Sequence, residues 1–309
     1  MENRPGPVNP EPNYGGALSF CRRQYSRDLT TADLAVTGIP FDTATTNRAG
    51  TRFGPRAIRS ASTEVSWGRH WPWEFDAFEL LNTIDYGDCF FDHGRPERVP
   101  EEIEAHITEI LEGDCAVLSL GGDHYLTLPI LRAHVKKHGP LSLLQFDAHT
   151  DTWEGEEGRI DHGTMFYHAV KEGLINPEKS VQVGIRTTND DTMGFNVLDA
   201  QWVQRRSIEE VTNEIKSILG NEKTYLTFDI DCVDPAFAPG TGTPVCGGLS
   251  SSEALHIIRD LRGLNVVGMD LVEVSPPYDH AEVTSLLGAT LAYEITCLYA
   301  CRHKLGESI

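Results

Sequence analysis

Apolar runs of strand length alternate along this chain with stretches of helical pattern, once a Pro/Gly-rich lead has passed. "LAVTGIPFD" (34–42) reads as a strand, and "GPRAIRSAS" (54–62) then opens a helix with Pro55 near its start, where a missing N–H is harmless. "LNTIDYG" precedes a charged helix, "PERVPEEIEAHITEILEG", whose early acids suit the positive end of its dipole. "CAVLSLGG" is followed by "LTLPILRAHVKKHG", which closes on Lys136, Lys137, His138 and then Gly139, a helix stop. "LSLLQF", "SVQVGIR", "YLTFDI" and "NVVGMDLVEV" come next, interleaved with helices predicted near 207–219, 250–262 and 282–299. These strands are near-continuous hydrophobic runs, the pattern of a parallel sheet covered on both faces. No linker, repeat or low-complexity block divides the chain, so it reads as a lead over 1–30 and one α/β domain over 31–309. In such sheets ligands bind beyond the carboxyl ends of the strands.

Composition narrows the function. The chain has 309 residues, 40% hydrophobic and 23% charged, ordinary for a soluble globular protein. A formal net charge of −20 argues against nucleic acid and acidic membranes as partners, since both favour basic surfaces. The same charge suits handling of cations, although solubility alone accounts for it. Seven scattered cysteines with no Cys-x-x-Cys indicate neither a disulfide frame nor a thiolate zinc site. "MENRPGPVNPEPNYGG" has no apolar run, so neither a signal peptide nor an anchor is expected there, and no segment elsewhere reads as long and apolar enough to span a bilayer. A cytoplasmic location is expected.

Three strand ends carry the same kind of side chain. "CAVLSLGGDHYLTLP" delivers Asp123 and His124, "LSLLQFDAHTD" delivers Asp147, His149 and Asp151, and "YLTFDIDCVDP" delivers Asp229 and Asp231, with Asp234 just past them. In an extended chain alternate side chains share a face, so 147, 149 and 151 converge, as do 229 and 231. Taken singly, each piece reads as a loop histidine or a capping aspartate. Together, four aspartates at buried strand ends repel one another and lose hydration, which drives them toward protonation unless cations sit among them. Two divalent ions balance the four negative charges of Asp147, Asp151, Asp229 and Asp231. Oxygen donors with two imidazoles and no thiolate suit Mn(II), and leave Ni(II), Co(II) and Zn(II) open. Six ligands are too few for two saturated ions, so some carboxylates should bridge. Paired ions lower the pKa of a shared water and supply hydroxide near neutral pH.

The motifs "GGDH", "DAHTDT", "DHGTMF", "FDIDCVDPAFAPGTGTPVCGG" and "VEVSPPYD", in this order, resemble those of the ureohydrolases, the arginase and agmatinase family. "PFDTATTNRAGTRFGPRAIR" and "KEGLINPEKSVQVGIRT" bring the chain nearest to the bacterial agmatinases, and the likeness runs from about Val36 to the C-terminus. The resemblance implies a three-layer α/β/α fold with a central, mostly parallel sheet of the arginase and deacetylase kind, and two Mn(II) ions per subunit. His124 and Asp151 would bind one ion, His149 and Asp231 the other, with Asp147 and Asp229 bridging. His162 of "DHGTMF" would be the proton shuttle and Glu273 of "VEVSP" the receiver of the guanidinium, a carboxylate pairing with parallel N–H donors. Without the resemblance, His162 reads as a satisfied histidine in a Gly-flanked turn and Glu273 as a strand-end charge. The implied reaction is attack of a hydroxide bridging two Mn(II) ions on a small cationic guanidine, giving urea and an amine. A homo-oligomer, trimer or hexamer, is implied too.

The substrate tail is read from "TWEGEEGRIDHG". Arginases place Asn, then Ser, after the last aspartate of the motif to hold an α-carboxylate. Here Trp153 takes the Asn position, and Glu154, Glu156 and Glu157 stand against a single Arg159. An acidic, aromatic loop suits a second cationic group, the ammonium of agmatine, whose hydrolysis to urea and putrescine belongs to polyamine biosynthesis. Rival readings are guanidinobutyrase, a nickel-dependent guanidine hydrolase, a single-zinc deacetylase and a catalytically silent metal-binding homologue. The aromatic stretch "SWGRHWPWEF" reads equally as cleft mouth, subunit contact or local packing.

Overall fold

A computed structural model describes residues 12–156 and 158–309. Among these, nine strands form one parallel sheet: β1 (Gln24–Tyr25), β2 (Leu34–Ile39), β3 (Thr83–Asp88), β4 (Ala116–Gly121), β5 (Ser142–Phe146), β6 (Val181–Val183), β7 (Asn196–Leu198), β8 (Thr224–Asp229) and β9 (Val266–Val272). Their order is β1-β3-β2-β4-β9-β8-β5-β6-β7. Alternate side chains along the central strands enter two separate apolar clusters. Leu118 and Leu120, Leu144 and Phe146, and Leu226 and Phe228 enter one, beside the helices Ile208–Leu219, Ser251–Asp260 and Val283–His303. Val117, Leu143 and Tyr225 enter the other, beside the helices Val99–Glu112 and Thr127–His138. With both faces buried, polar alternation has no place in these strands, and the layers are α/β/α as expected.

Local chemistry sets the element ends. Ser207 and Ser250 close capping boxes with Glu210 and Glu253, so the helices predicted near 207 and 250 begin at Ile208 and Ser251. The last helix runs on to His303, past the expected 299, since neither Gly nor Pro interrupts "CLYACRH". This 21-residue helix, with a mean hydropathy of 1.2 over an 18-residue window, is long and apolar enough to cross a bilayer, which corrects the expectation that no segment qualifies. It is a core helix instead, with Leu287, Leu291, Ile295 and Leu298 in the first cluster. The aromatic stretch divides: Trp73 is buried and donates from Nε1 to Glu294 Oε2 of that helix at 2.5 Å, whereas Trp67 and Trp71 are exposed.

The last two strands of the chain, β8 and β9, insert between β4 and β5. The carboxyl ends of β4, β9, β8 and β5 therefore lie side by side, and they carry the candidate site. The exit of β4 is tight. A Cβ on Gly122 would lie 1.8 Å from the Phe41 carbonyl, while Asp123 N–H donates to that same oxygen at 2.8 Å. Only glycine lets the two main chains approach this closely.

Candidate metal centre

The expected convergence of the aspartates is real, but its cause differs from simple strand alternation. The strands stop at Phe146 and Asp229, and the same turn follows each. Asp147 Oδ1 accepts His149 N–H at 2.6 Å, and Asp229 Oδ1 accepts Asp231 N–H at 2.8 Å. Each aspartate thus folds the chain over its own side chain, an i to i+2 turn that brings the next ligand-type residue back to the strand end. Asp151 completes the first turn with φ +53°, and Glu273 leaves β9 with φ +63°. Non-glycine residues rarely adopt this conformation, and it concentrates at functional sites.

Two groups of ligand-type atoms result, His124 with Asp147 and Asp229, and Asp147 with His149 and Asp231, each with its atoms within 4.8 Å of one another. Asp147 belongs to both. His124 Nδ1 lies 3.0 Å from Asp147 Oδ2, 3.0 Å from Asp151 Oδ2 and 3.2 Å from Asp229 Oδ2. His149 Nδ1 lies 3.1 Å from Asp231 Oδ2 and 3.4 Å from Asp147 Oδ1. Asp147 is further held by Gln145 Nε2 at 2.8 Å.

The tautomer of His124 can be deduced. Thr227 Oγ1 donates its proton to Asp270 Oδ1 at 2.5 Å, so at 2.8 Å it must accept from His124 Nε2–H. Nδ1 is then left with a lone pair, buried and without a hydrogen-bond partner, facing three carboxylate oxygens that are near but not aligned for hydrogen bonding. A lone pair there is repelled by the carboxylates, which, against its burial, raise His124 well above the usual imidazole range, so either a proton on Nδ1 or a cation among them must remove the repulsion. Asp270, which also accepts from Thr127 and Tyr225 hydroxyls, anchors this relay from behind.

Electrostatics agree that the cluster cannot stand fully ionised by itself. Burial pushes Asp151 up to about 7, aided by Asp147, and pushes Asp229 well up, aided by Asp231 and Asp147. Burial opposes charge on Asp147 as well, but the two histidines beside it hold it below the usual carboxylate range. His149 is pushed up to about 12 against its own burial, because Asp231 and Asp147 flank it. Protons or divalent ions must share this space, and the donor set fits a pair of such ions.

Beside the ligands, Glu273 Oε1 accepts from His124 N–H at 2.9 Å and from His162 Nδ1 at 2.8 Å. Its Oε2 is buried with no partner. His162 Nε2 accepts Thr46 N–H at 3.0 Å and lies 2.7 Å from Thr46 Oγ1. That contact needs a lone pair, so this geometry holds the ring neutral with its proton on Nδ1. Burial also favours the neutral ring, but Glu273, Asp151 and Asp123 pull harder the other way and raise His162 to about 9. Cations among those carboxylates would weaken that pull, so we favour the neutral form that the hydrogen bonds describe.

A family model described as the arginase family matches residues 32–298. The chain belongs to that family. It is 54% identical to an agmatinase of Chromobacterium violaceum over 298 residues, 96% of this chain and 92% of the relative. The crystal structure of a hypothetical agmatinase from Burkholderia thailandensis superposes with TM-score 0.94 at 51% identity, covering 96% of this chain and 98% of that one. The proclavaminate amidino hydrolase of Streptomyces clavuligerus gives TM-score 0.91 at 38% identity, covering 95% and 100%. The fold is thus the arginase fold, and the chain is a ureohydrolase. The two ligand groups sharing Asp147 match the paired-ion centre that membership of the arginase family implies.

Above the centre opens a cleft of about 370 Å³, lined by His149, Asp151, His162 and Asp229 at its floor and by Trp153 and Glu154 on its wall. Of the tail candidates, Glu156 is exposed and not among the lining residues, and Glu157 lies outside the described residues. Arg159 also lines the cleft, but its Nη2 pairs with Asp161 Oδ2 at 2.7 Å. Thr46, Asp161 and Thr243 line the cleft too and were not singled out by the sequence pattern. They sit in loops, where no periodicity marks them. Thr227 and Gln145 had a signal, since each stands two residues before a ligand on the same strand face.

Proposed function

We propose that this ureohydrolase hydrolyses the guanidinium group of agmatine to urea and putrescine, with two Mn(II) ions held by His124, Asp147, His149, Asp151, Asp229 and Asp231. The observation that carries the reading is the doubled ligand set around Asp147, with the orphaned, lone-pair-bearing Nδ1 of His124 aimed into it. Bound ions supply a water acidified enough to act as a nucleophile near neutral pH. The chain's own residues do the rest. Glu273 Oε2, buried and unpartnered, accepts a guanidinium N–H and fixes the substrate carbon over the centre. His162, hydrogen-bonded to Glu273 through Nδ1, carries a proton between the site and the departing amine.

Selection of the tail rests on charge. Trp153 and Glu154 offer a ring face and a carboxylate to the ammonium of agmatine. Arg159, the cation that a carboxylate tail would need, is already paired with Asp161. The likeness to an agmatinase at 54% identity supports the same substrate. The reading carries with it a cytoplasmic homo-oligomer serving putrescine and polyamine synthesis. Initial rates of urea release from the Mn(II)-loaded protein test it, with agmatine, arginine, 4-guanidinobutanoate and guanidine compared. Agmatine should lead in kcat/KM by about a hundredfold or more, the scale on which pocket contacts discriminate. A lead by arginine or 4-guanidinobutanoate would refute the tail assignment.

A further inference from the structure

We propose that Arg186 is a positioning residue of the metal centre: it staples the turn carrying Asp231 to the loop carrying Thr243, so that Asp147, His149 and Asp231 meet their ion already arranged. The inference deepens the two-ion reading above and rests on it. Arg186 follows β6 and is half-buried. Its Nε and Nη2 donate to the Val245 carbonyl at 3.0 and 2.8 Å, and its Nη1 to those of Gly184 and Cys232 at 3.0 and 3.2 Å. A second bond from Nη2 reaches the Asp231 carbonyl at 2.5 Å. The whole donor fork is thus spent on main-chain oxygens from three segments of chain.

Other bonds tie the loop elsewhere: Asp234 Oδ2 accepts Gly247 and Gly248 N–H, Gln204 Nε2 donates to the carbonyls of the same two glycines, and Asn47 Nδ2 donates to the Gly242 carbonyl. From Asp234 to Gly248 the chain forms neither helix nor strand, and none of those bonds, nor the bridge between Val233 and Leu249 at the base of the loop, joins Val245 to Asp231 as Arg186 does. Thr243, two residues before the stapled Val245, reaches back to Asp231 Oδ2 from its Oγ1 at 3.2 Å and lines the cleft. Ala148 N–H holds the other oxygen, Asp231 Oδ1, at 3.1 Å. The packing leaves no slack: a Cβ on Gly248 would lie 2.7 Å from Arg186 Nη2, and one on Gly184 would lie 2.6 Å from Cys232 Sγ. A planar, five-donor guanidinium can bridge all four carbonyls at once, and a lysine ammonium cannot.

The test is Mn(II) titration of metal-stripped wild type, Arg186→Met and Arg186→Lys by calorimetry, with metal content by elemental analysis. Arg186→Met should keep one ion at wild-type affinity and bind the other about 10–100-fold more weakly, the usual cost of losing a group behind a ligand. Arg186→Lys should fall between, and lost activity should return at excess Mn(II). Two ions bound by Arg186→Met with wild-type affinity would make the staple mere packing and overturn the proposal. If Arg186→Met does not fold, Thr243→Val decides, since it removes only the hydroxyl from Asp231: weakening of one ion supports the proposal, and unchanged binding overturns it. A wild-type chain holding a single ion would sink the two-ion reading itself, and this proposal with it.

Discussion

Replacing Thr227 with valine is the sharpest probe of how the protein prepares His124 for a cation. The two side chains are nearly isosteric, so no cavity opens, and only the hydroxyl is lost. That hydroxyl accepts His124 Nε2–H at 2.8 Å and donates to Asp270 Oδ1 at 2.5 Å. Both partners are fully or almost fully buried, so each is left wanting one hydrogen bond. At roughly 1–3 kcal/mol for each unsatisfied buried group, the relay is worth about 2–6 kcal/mol if nothing relaxes. The ring has a way to relax. Its proton can move to Nδ1, where Asp147, Asp151 and Asp229 stand within hydrogen-bonding distance. That tautomer stabilises the ion-free protein and blocks the ligand nitrogen. Thr227→Val should therefore lose only the Asp270 share without Mn(II), about 1–3 kcal/mol, yet bind the ion at His124 about 10–100-fold more weakly, which is roughly 1.4–2.8 kcal/mol. Competition with a chelator of known affinity measures this, and Thr227→Ser should restore binding. A valine variant with wild-type Mn(II) affinity would refute the tautomer argument.

Other consequences follow from the same geometry. Glu273→Gln keeps an acceptor for His124 N–H but loses its charge, so both ions should stay while kcat/KM for agmatine falls by roughly 10²–10³, as expected for about 2–5 kcal/mol from a buried charge pair. Asp151, raised from 3.8 to about 7, binds a proton in the folded ion-free protein that the unfolded chain has released. Between about pH 4 and 7 the folded state therefore holds more protons, so the stability of the ion-free protein falls as pH rises through that window. Mn(II) affinity should rise through the same window, and urea melts with and without Mn(II) at several pH values check both slopes. Gly122→Ala would drive a Cβ to 1.8 Å from the Phe41 carbonyl, and urea unfolding should show a loss of about 3 kcal/mol or more.

The sequence made the site legible because two plain signals coincide at the strand ends. Continuous apolar runs mark β4, β5, β8 and β9, and ligand-type residues stand where each run stops. The outer strands were harder to see. β1 has two residues, both exposed, and β7 has three, too few to carry any period. The ligand geometry depends on turns closed by Asp147 and Asp229, which extended-strand reasoning does not describe although it selects the same residues. Arg186, Thr46 and Thr243 act through contacts that span long stretches of chain, as in the Thr46 bond to His162. No local pattern records such contacts. In the loop after Asp151 charge alone does not mark the contacts: Glu154 reaches the cleft, Glu156 does not, and Arg159 is occupied by Asp161.

Five buried side chains and the half-buried His149 form the proposed cradle for a pair of dications sharing Asp147. Anomalous diffraction at the manganese edge, on crystals of the Mn(II)-loaded protein, tests it most directly. Two peaks per chain are expected, one among His124, Asp151 and Asp229, the other between His149 and Asp231, with Asp147 touching both. One peak, or none, at full Mn(II) saturation would contradict it.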